Sequence, residues 1–223
     1  SAHAFCGEYY NKTIGTYSDF AVFSFYATKS ITCGEGGAII TNNKKSSEAI
    51  RSISNNGMTK PAFKRFVNNK YIPWDVNDYG FKSNLSDINA SLLSDQIINY
   101  SKTAMIKKKI FKQYKKHLKE IKEIKFPLNN NNKNRDYYLM PIGVNKRYRN
   151  KLIEHFLNKR IFVTVNFRSI TELNYYKKKY KNSVCPISEE WGKEQISLPF
   201  HVKMSENEIK TVCYEIKNFF KRV

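Results

Sequence analysis

One stretch, Ser24-Phe25-Tyr26-Ala27-Thr28-Lys29-Ser30-Ile31-Thr32-Cys33-Gly34-Glu35-Gly36-Gly37, combines residue types that can do chemistry. A lysine held over a loop can form a Schiff base with a carbonyl compound. A serine hydroxyl with backbone amides beside it suits a phosphate group. Three glycines close by suit backbone that must turn tightly or run close to a ligand. Taken by itself, Lys29 is one more cation in a chain with 39 Lys and Arg residues.

These residues need strands to hold them. Phe20-Ala21-Val22-Phe23 before the loop and Ala38-Ile39-Ile40-Thr41 after it are short, apolar and bounded by turn residues. Both read as buried strands. Ser24 then lies at a strand end, where open α/β sheets place ligand contacts. Ser46 and Ser47 open a helix over 48–54 that stops at Asn55-Asn56-Gly57. Residues 58–79, with Pro61, Pro73 and Trp74, read as irregular. Ser86 is an N-cap for a helix with Leu85, Ile88, Leu92 and Leu93 as core positions. A long helix over 101–122 has Met105, Ile106, Ile110, Phe111, Tyr114 and Leu118 as its apolar face. The run Asn129–Asn134 reads as an exposed loop leading into a smaller unit. There, strands over 137–144 and 161–165 flank a helix capped by Asn145, with Leu152, Ile153, Phe156 and Leu157 inward. Ser205-Glu206-Asn207-Glu208 is a capping box for a last helix burying Ile209, Val212, Ile216 and Phe219.

Ser-Phe-x-x-x-Lys-x-Ile-Thr-x-Gly-Glu-Gly-Gly-Ala-Ile, from Ser24, resembles the cofactor-lysine segment of the DegT-type sugar aminotransferases. Gly80-Phe81-Lys82-Ser83-Asn84-Leu85-Ser86-Asp87-Ile88-Asn89-Ala90 is similar to a second segment of the same family. The resemblance implies an α/β fold: the later part of a fold-type I pyridoxal-phosphate transferase large domain, a mixed sheet with helices, plus a smaller C-terminal α+β domain. Residues 1–100 would be the partial cofactor-binding domain, 101–128 a connecting long helix, and 129–223 the small domain. The family's Asp that pairs with the cofactor's pyridine nitrogen would stand one position before Ser1. The resemblance implies pyridoxal 5'-phosphate as cofactor and Lys29 as the catalytic lysine. It places His3 at the cofactor's phenolic oxygen and Ser24 at its phosphate. Lys82 or Asn84 would reach across a dimer to the partner's phosphate, with the choice left open. Asn166 stands near the position where many members carry a substrate-facing His, and Arg168 is a candidate for a phosphate or carboxylate. L-Glutamate would donate the amino group and a nucleotide-linked keto-sugar would receive it. Alternatives are an inactive remnant of such an enzyme, or a basic nucleic-acid-binding protein.

The net charge of +20 permits nucleic-acid or acidic-membrane binding. The cations are nevertheless dispersed and gather into no stripe, so neither a nucleic acid nor a membrane is expected as partner. Cys6, Cys33, Cys185 and Cys213 have no Cys-x-x-Cys spacing and read as free thiols of a reducing compartment. The four histidines show no ligand spacing, so no metal is expected. There is no membrane-length apolar run and no signal-peptide pattern, which points to the cytoplasm. Strands around Ser24 without neighbours in this chain imply a homodimer or association with an N-terminal portion.

Overall fold

Alternation along Ala21–Ser24 sets the first structural layer: Ala21 and Phe23 are buried and Val22 faces out. In the computed structural model, which describes residues 1–59, 65–127 and 136–222, the chain divides into two units. One comprises Ser1–Tyr100 with Asn132–Asp136, the other Ser101–Asn131 with Tyr137–Val223. The expected Asn129–Asn134 loop and Pro61 lie outside the described residues.

The first unit begins with a small hairpin, β1 (Glu8–Tyr9) and β2 (Lys12–Thr13). β3 (Ala21–Ser24) and β4 (Gly37–Ile40) form an antiparallel pair, with Ala21 opposite Ile40 and Ser24 opposite Gly37. Burial of both strands was the expectation. Val22 and Ile39 are instead exposed, because they share the open face of this two-stranded ribbon, and Ile40, on the face of Ala21, is exposed as well. α1 (Lys44–Ile53) starts earlier than expected, since the Asn43 side chain already accepts the Ser46 N–H. It ends in a turn with Gly57 at φ +71, where a β-carbon would lie 1.9 Å from the Asp78 carbonyl oxygen. Within 58–79, read as irregular, a short hairpin forms from β5 (Phe66–Val67) and β6 (Lys70–Tyr71). α2 (Asp87–Ile98) is capped by Ser86 as expected. Leu93 is buried, but Ile88 is 79% and Leu92 55% exposed. The stripe of α2 that meets the rest of the unit carries Asn89, Leu93 and Gln96 at helical spacing, and Ile88 and Leu92 lie one residue off it.

The second unit is built around a three-stranded antiparallel sheet, β7 (Ile124–Lys125), β8 (Met140–Val144) and β9 (Gln195–Leu198), with β8 in the middle. α3 (Tyr100–Leu118) contributes Ile110, Phe111, Tyr114 and Leu118 to its core. Met105 and Ile106, expected on the same apolar face, are exposed, so the buried face starts one turn later. Tyr114 is fully buried and its hydroxyl donates to the Pro199 carbonyl at 2.9 Å, which satisfies the polar end of an otherwise apolar ring. α4 (Lys146–Asn158) is capped by Asn145 and buries Leu152 and Phe156, while Leu157 faces out. The stretch 161–165 is not a strand. Only Thr164 bridges to Ser197, and Phe162 points outward. A short helix, α5 (Asn174–Lys179), precedes α6 (Pro186–Glu194), whose Trp191 lies so close to Gly143 that a β-carbon there would meet the ring at 2.8 Å. α7 (Glu206–Phe220) starts in a complete Ser205–Glu208 capping box and buries the four apolar positions expected of it. Among the described residues, no helix is long and apolar enough to cross a membrane.

Candidate active site

The loop between β3 and β4 is closed at its neck by backbone hydrogen bonds. Phe25 N–H donates to the Gly36 carbonyl at 2.8 Å, and the Phe25 carbonyl accepts Cys33 N–H at 3.0 Å. Thr32 Oγ1 donates to the same carbonyl at 3.1 Å. Phe25, Ile31 and Cys33 are buried and peg the loop to the unit beneath it. Gly34 takes φ +84, a turn that favours glycine. Gly36 and Gly37 are needed for packing: β-carbons there would lie 2.6 Å from Cys33 Sγ and 2.9 Å from the Phe23 carbonyl.

Lys29 is presented on the tip of this closed loop. Its backbone N–H donates to the Tyr26 carbonyl at 2.9 Å, and its side chain is half-buried. Ser24, at the strand end, is half-buried, and its Oγ accepts Tyr26 N–H at 3.4 Å. Two side chains of α2 hold the far limb of the loop. The Gln96 amide accepts Thr32 N–H at 3.0 Å and donates to the Thr32 carbonyl at 2.7 Å. Asn89 Nδ2 donates to the Glu35 carbonyl at 3.4 Å. Under the near limb, Phe5 meets Phe23, Phe25 and Tyr100 edge to face at 5.0–6.4 Å.

His3 lies within the electrostatic reach of Lys29. Partial burial, and then the Lys29 charge, hold its imidazole below the usual histidine value, with Asp136 opposing. The ring is therefore neutral at neutral pH, one nitrogen a donor and the other an acceptor. It borders a cavity of about 450 Å³ together with Glu8, Tyr9, Tyr17 and Asp136.

Lys82 and Asn84 stand elsewhere in this unit. Lys82 bridges Asn55, with Nζ 3.5 Å from the Asn55 side-chain oxygen. Phe81 N–H donates to the Ile53 carbonyl and Ser83 N–H to the Ser54 carbonyl, which fastens the segment to the end of α1. Asn84 lines a second cavity, of about 580 Å³, with Val22, Ile39, Ile50 and Arg51; Ser24, Lys29 and His3 do not line it. In the second unit, Asn166 N–H donates to the buried Gln195 side chain at 3.2 Å, the Gln195 amide donates back to the Asn166 carbonyl, and Asn166 Nδ2 donates to Thr164 Oγ1. Arg168 is exposed and donates to the Glu172 carbonyl at 3.2 Å. Ser24 and Lys29 thus belong to the one β3–β4 loop, His3 lines a cavity that neither of them borders, and Lys82 and Asn84 stand at the end of α1.

The sequence reading did not single out Gln96, Tyr100 or Asp136. Gln96 shares a helical stripe with Leu93 and Asn89, a signal available in the sequence. Asp136 carries no such signal. Among the described residues, no group of three His, Cys, Asp or Glu side chains is arranged to hold a metal ion.

A family model described as the DegT/DnrJ/EryC1/StrS aminotransferase family matches residues 1–217. An uncharacterized protein of Methanocaldococcus jannaschii is 30% identical over 223 residues, 97% of this chain and 58% of that protein. The spore coat polysaccharide biosynthesis protein SpsC of Bacillus subtilis is 27% identical over 228 residues, 99% of this chain and 59% of that protein. Among solved structures, Helicobacter pylori PseC, an aminotransferase involved in the biosynthesis of pseudoaminic acid, superposes with a TM-score of 0.88 at 23% identity. That match covers 100% of this chain and 59% of the other. Streptococcus pneumoniae Spr1654 in its PMP form gives 0.87 at 24% identity, covering 100% of this chain and 58% of that one. The chain therefore spans under two thirds of the length of the relatives it matches, and its fold is that of the corresponding part of the aminotransferases.

Proposed function

This chain belongs to the DegT/DnrJ/EryC1/StrS aminotransferase family, and we propose that it carries the lysine-bearing part of a pyridoxal-phosphate-dependent sugar aminotransferase. The observation that carries the reading is the closed β3–β4 loop, which presents Lys29 beyond a strand-end Ser24. The donor set fits pyridoxal phosphate: an amine for its aldehyde, a hydroxyl for its phosphate and a neutral imidazole for its phenolic oxygen.

When bound, pyridoxal phosphate supplies an electron sink for the amino-bearing carbon. Lys29 Nζ would hold it covalently at rest and, once released, would carry a proton between the substrate's amino-bearing carbon and the cofactor carbon as general base and acid. Ser24 Oγ, which accepts the Tyr26 N–H, would donate its own proton to the phosphate. His3 orients the ring through its phenolic oxygen, and its neutral form can donate or accept there. Lys82 or Asn84 would reach a partner subunit's cofactor phosphate. Asn166 and Arg168 offer hydrogen bonds to the sugar or its anionic groups, Asn166 with its backbone already fixed by Gln195. Overall, L-glutamate gives up its amino group and becomes 2-oxoglutarate, and a nucleotide-linked keto-sugar exchanges its carbonyl oxygen for that amino group. The resemblance to a polysaccharide biosynthesis protein and to PseC supports a sugar acceptor. We place the enzyme in the cytoplasm, as a homodimer or joined to an N-terminal portion; the four free cysteines agree with a reducing compartment.

The test is substitution of Lys29 in the full-length protein. Lys29→Ala should abolish amino transfer while leaving the circular dichroism spectrum unchanged, since a loop-tip side chain contributes little to the core. Lys29→Arg should be inactive as well, because guanidinium keeps the charge but cannot bond the aldehyde carbon. Full transfer activity in Lys29→Ala would refute the assignment.

A further inference from the structure

The residue after Lys29 is tied to the far side of the chain by a single carboxylate. Ser30 Oγ lies 2.8 Å from both oxygens of Asp136, and must donate because an ionised carboxylate only accepts. The Tyr100 hydroxyl lies 2.9 Å from Asp136 Oδ1 and 2.8 Å from the Phe5 carbonyl oxygen. Both of those neighbours are acceptors, so the phenol's one proton is shared between them and the phenol stays protonated. Burial, with the nearby Asp136 charge, pushes its pKa up, consistent with that role. Phe5 is two residues from His3, and Phe5 itself packs edge to face on the Tyr100 ring at 5.0 Å.

One anion therefore holds two strands of the site at once. Its first arm fixes the backbone next to Lys29. Its second arm, through Tyr100, fixes the segment that ends in His3. Hydrogen bonds to an ionised group are shorter and roughly twice as strong as neutral ones, and they weaken steeply off-axis, so a carboxylate with two donors defines direction as well as distance. Asp136 also faces His3, whose imidazole it stabilises in the charged form against the opposing effect of Lys29.

We propose that Asp136 is a positioning residue for Lys29: through Ser30 and Tyr100 it sets the geometry in which the Lys29 amine meets an aldehyde, without itself touching the reacting atoms. The inference rests on the reading of Lys29 as the cofactor lysine. Misplacing a reacting group by about 1 Å can reduce a rate by about a hundredfold. The expected signature is accordingly slower capture by a lysine that is still present.

The experiment follows uptake of pyridoxal phosphate by the full-length protein, well below its melting transition. Nζ of Lys29 bonds the aldehyde carbon and water leaves; borohydride then adds hydride to that carbon and makes the attachment permanent. The label on Lys29 is compared by peptide mass spectrometry with the label on exposed lysines of the same sample, which serve as an internal standard. Asp136→Ala should slow labelling of Lys29 by about tenfold or more relative to those lysines. Asp136→Asn, which keeps an acceptor for Tyr100 and a polar group for Ser30, should recover most of the rate. A merely structural role would lower the melting temperature and leave the labelling ratio unchanged. Ser30→Ala, which spares the Tyr100–Asp136 bond, gives the same readout should Asp136→Ala fail to fold. If the wild type labels at Lys29 and Asp136→Ala or Ser30→Ala labels equally fast, this inference is wrong and the reading of Lys29 stands. If the wild type does not label at Lys29, both fall.

Discussion

The two units of this chain solve the problem of order in different ways. In the second, one core joins α3, α4, α7 and the three-stranded sheet, and Tyr114, Leu118, Met140, Ile142, Leu152, Phe156 and Ile216 are entirely buried. In the first, the described residues bury a smaller set, Ala21, Phe23, Phe25, Ile31, Cys33, Leu93 and Tyr100, while Val22, Ile39, Ile88, Leu92 and Ile98 are exposed. What fixes its β3–β4 loop is largely polar: the Gln96 clamp on Thr32, the Asp136 tie to Ser30 and the closed neck at Phe25. The second unit is held by non-directional burial. The first holds its candidate catalytic lysine by directional bonds, which specify position. Stability and chemistry are thus concentrated in different places.

The contrast breaks most readily in the core. Phe156→Ala should destabilise the second unit by about 3–5 kcal/mol, because it removes a fully buried ring and leaves a cavity. Val22→Ala in the first unit removes an exposed side chain and should cost about 0.5 kcal/mol or less. Chemical denaturation of both variants checks this; equal losses would erase the distinction drawn between the units.

A smaller effect should appear in the pH dependence of the first unit. His3 binds its proton less tightly when folded than when unfolded, because of burial and the Lys29 charge. Between the usual histidine value and the lowered one, the unfolded chain holds a proton that the folded chain does not, so stability should decline as pH falls through that window. His3→Gln should remove that contribution, and the difference between the two denaturation midpoints should widen from neutral pH towards about pH 5. A midpoint difference that does not change with pH would contradict the partial burial of His3 that holds its imidazole neutral.

Much of this architecture is legible in the sequence because its signals are local. A Ser205–Glu208 box, the Ser86 and Asn145 caps and the spacing of Ile209, Val212 and Ile216 each depend on residues within a turn or two. Burial depends on partners far away in sequence, and it is there that expectation and structure part. Ile88, Leu92 and Leu157 have helical spacing yet face out, because each lies beside the contact stripe and not on it. The stretch 161–165 has β-branched residues, but its one strand-type bridge among the described residues is Thr164 with Ser197. The candidate site divides in the same manner. Lys29, Ser24 and the glycines form one contiguous segment and could be read directly. Gln96 and Asp136 reach that segment from 64 and 106 residues away, and spacing along the chain does not announce such contacts.

The central claim is that Lys29 is the lysine that holds the cofactor. It is tested most directly by incubating the full-length protein with pyridoxal phosphate, reducing with borohydride and locating the modified residue by peptide mass spectrometry. Lys29 should carry the pyridoxyl group at a stoichiometry near one, ahead of the solvated lysines on helix faces, which no site holds against the aldehyde. A label found uniquely on another lysine, or spread evenly over many with Lys29 among the unmodified, would contradict the account.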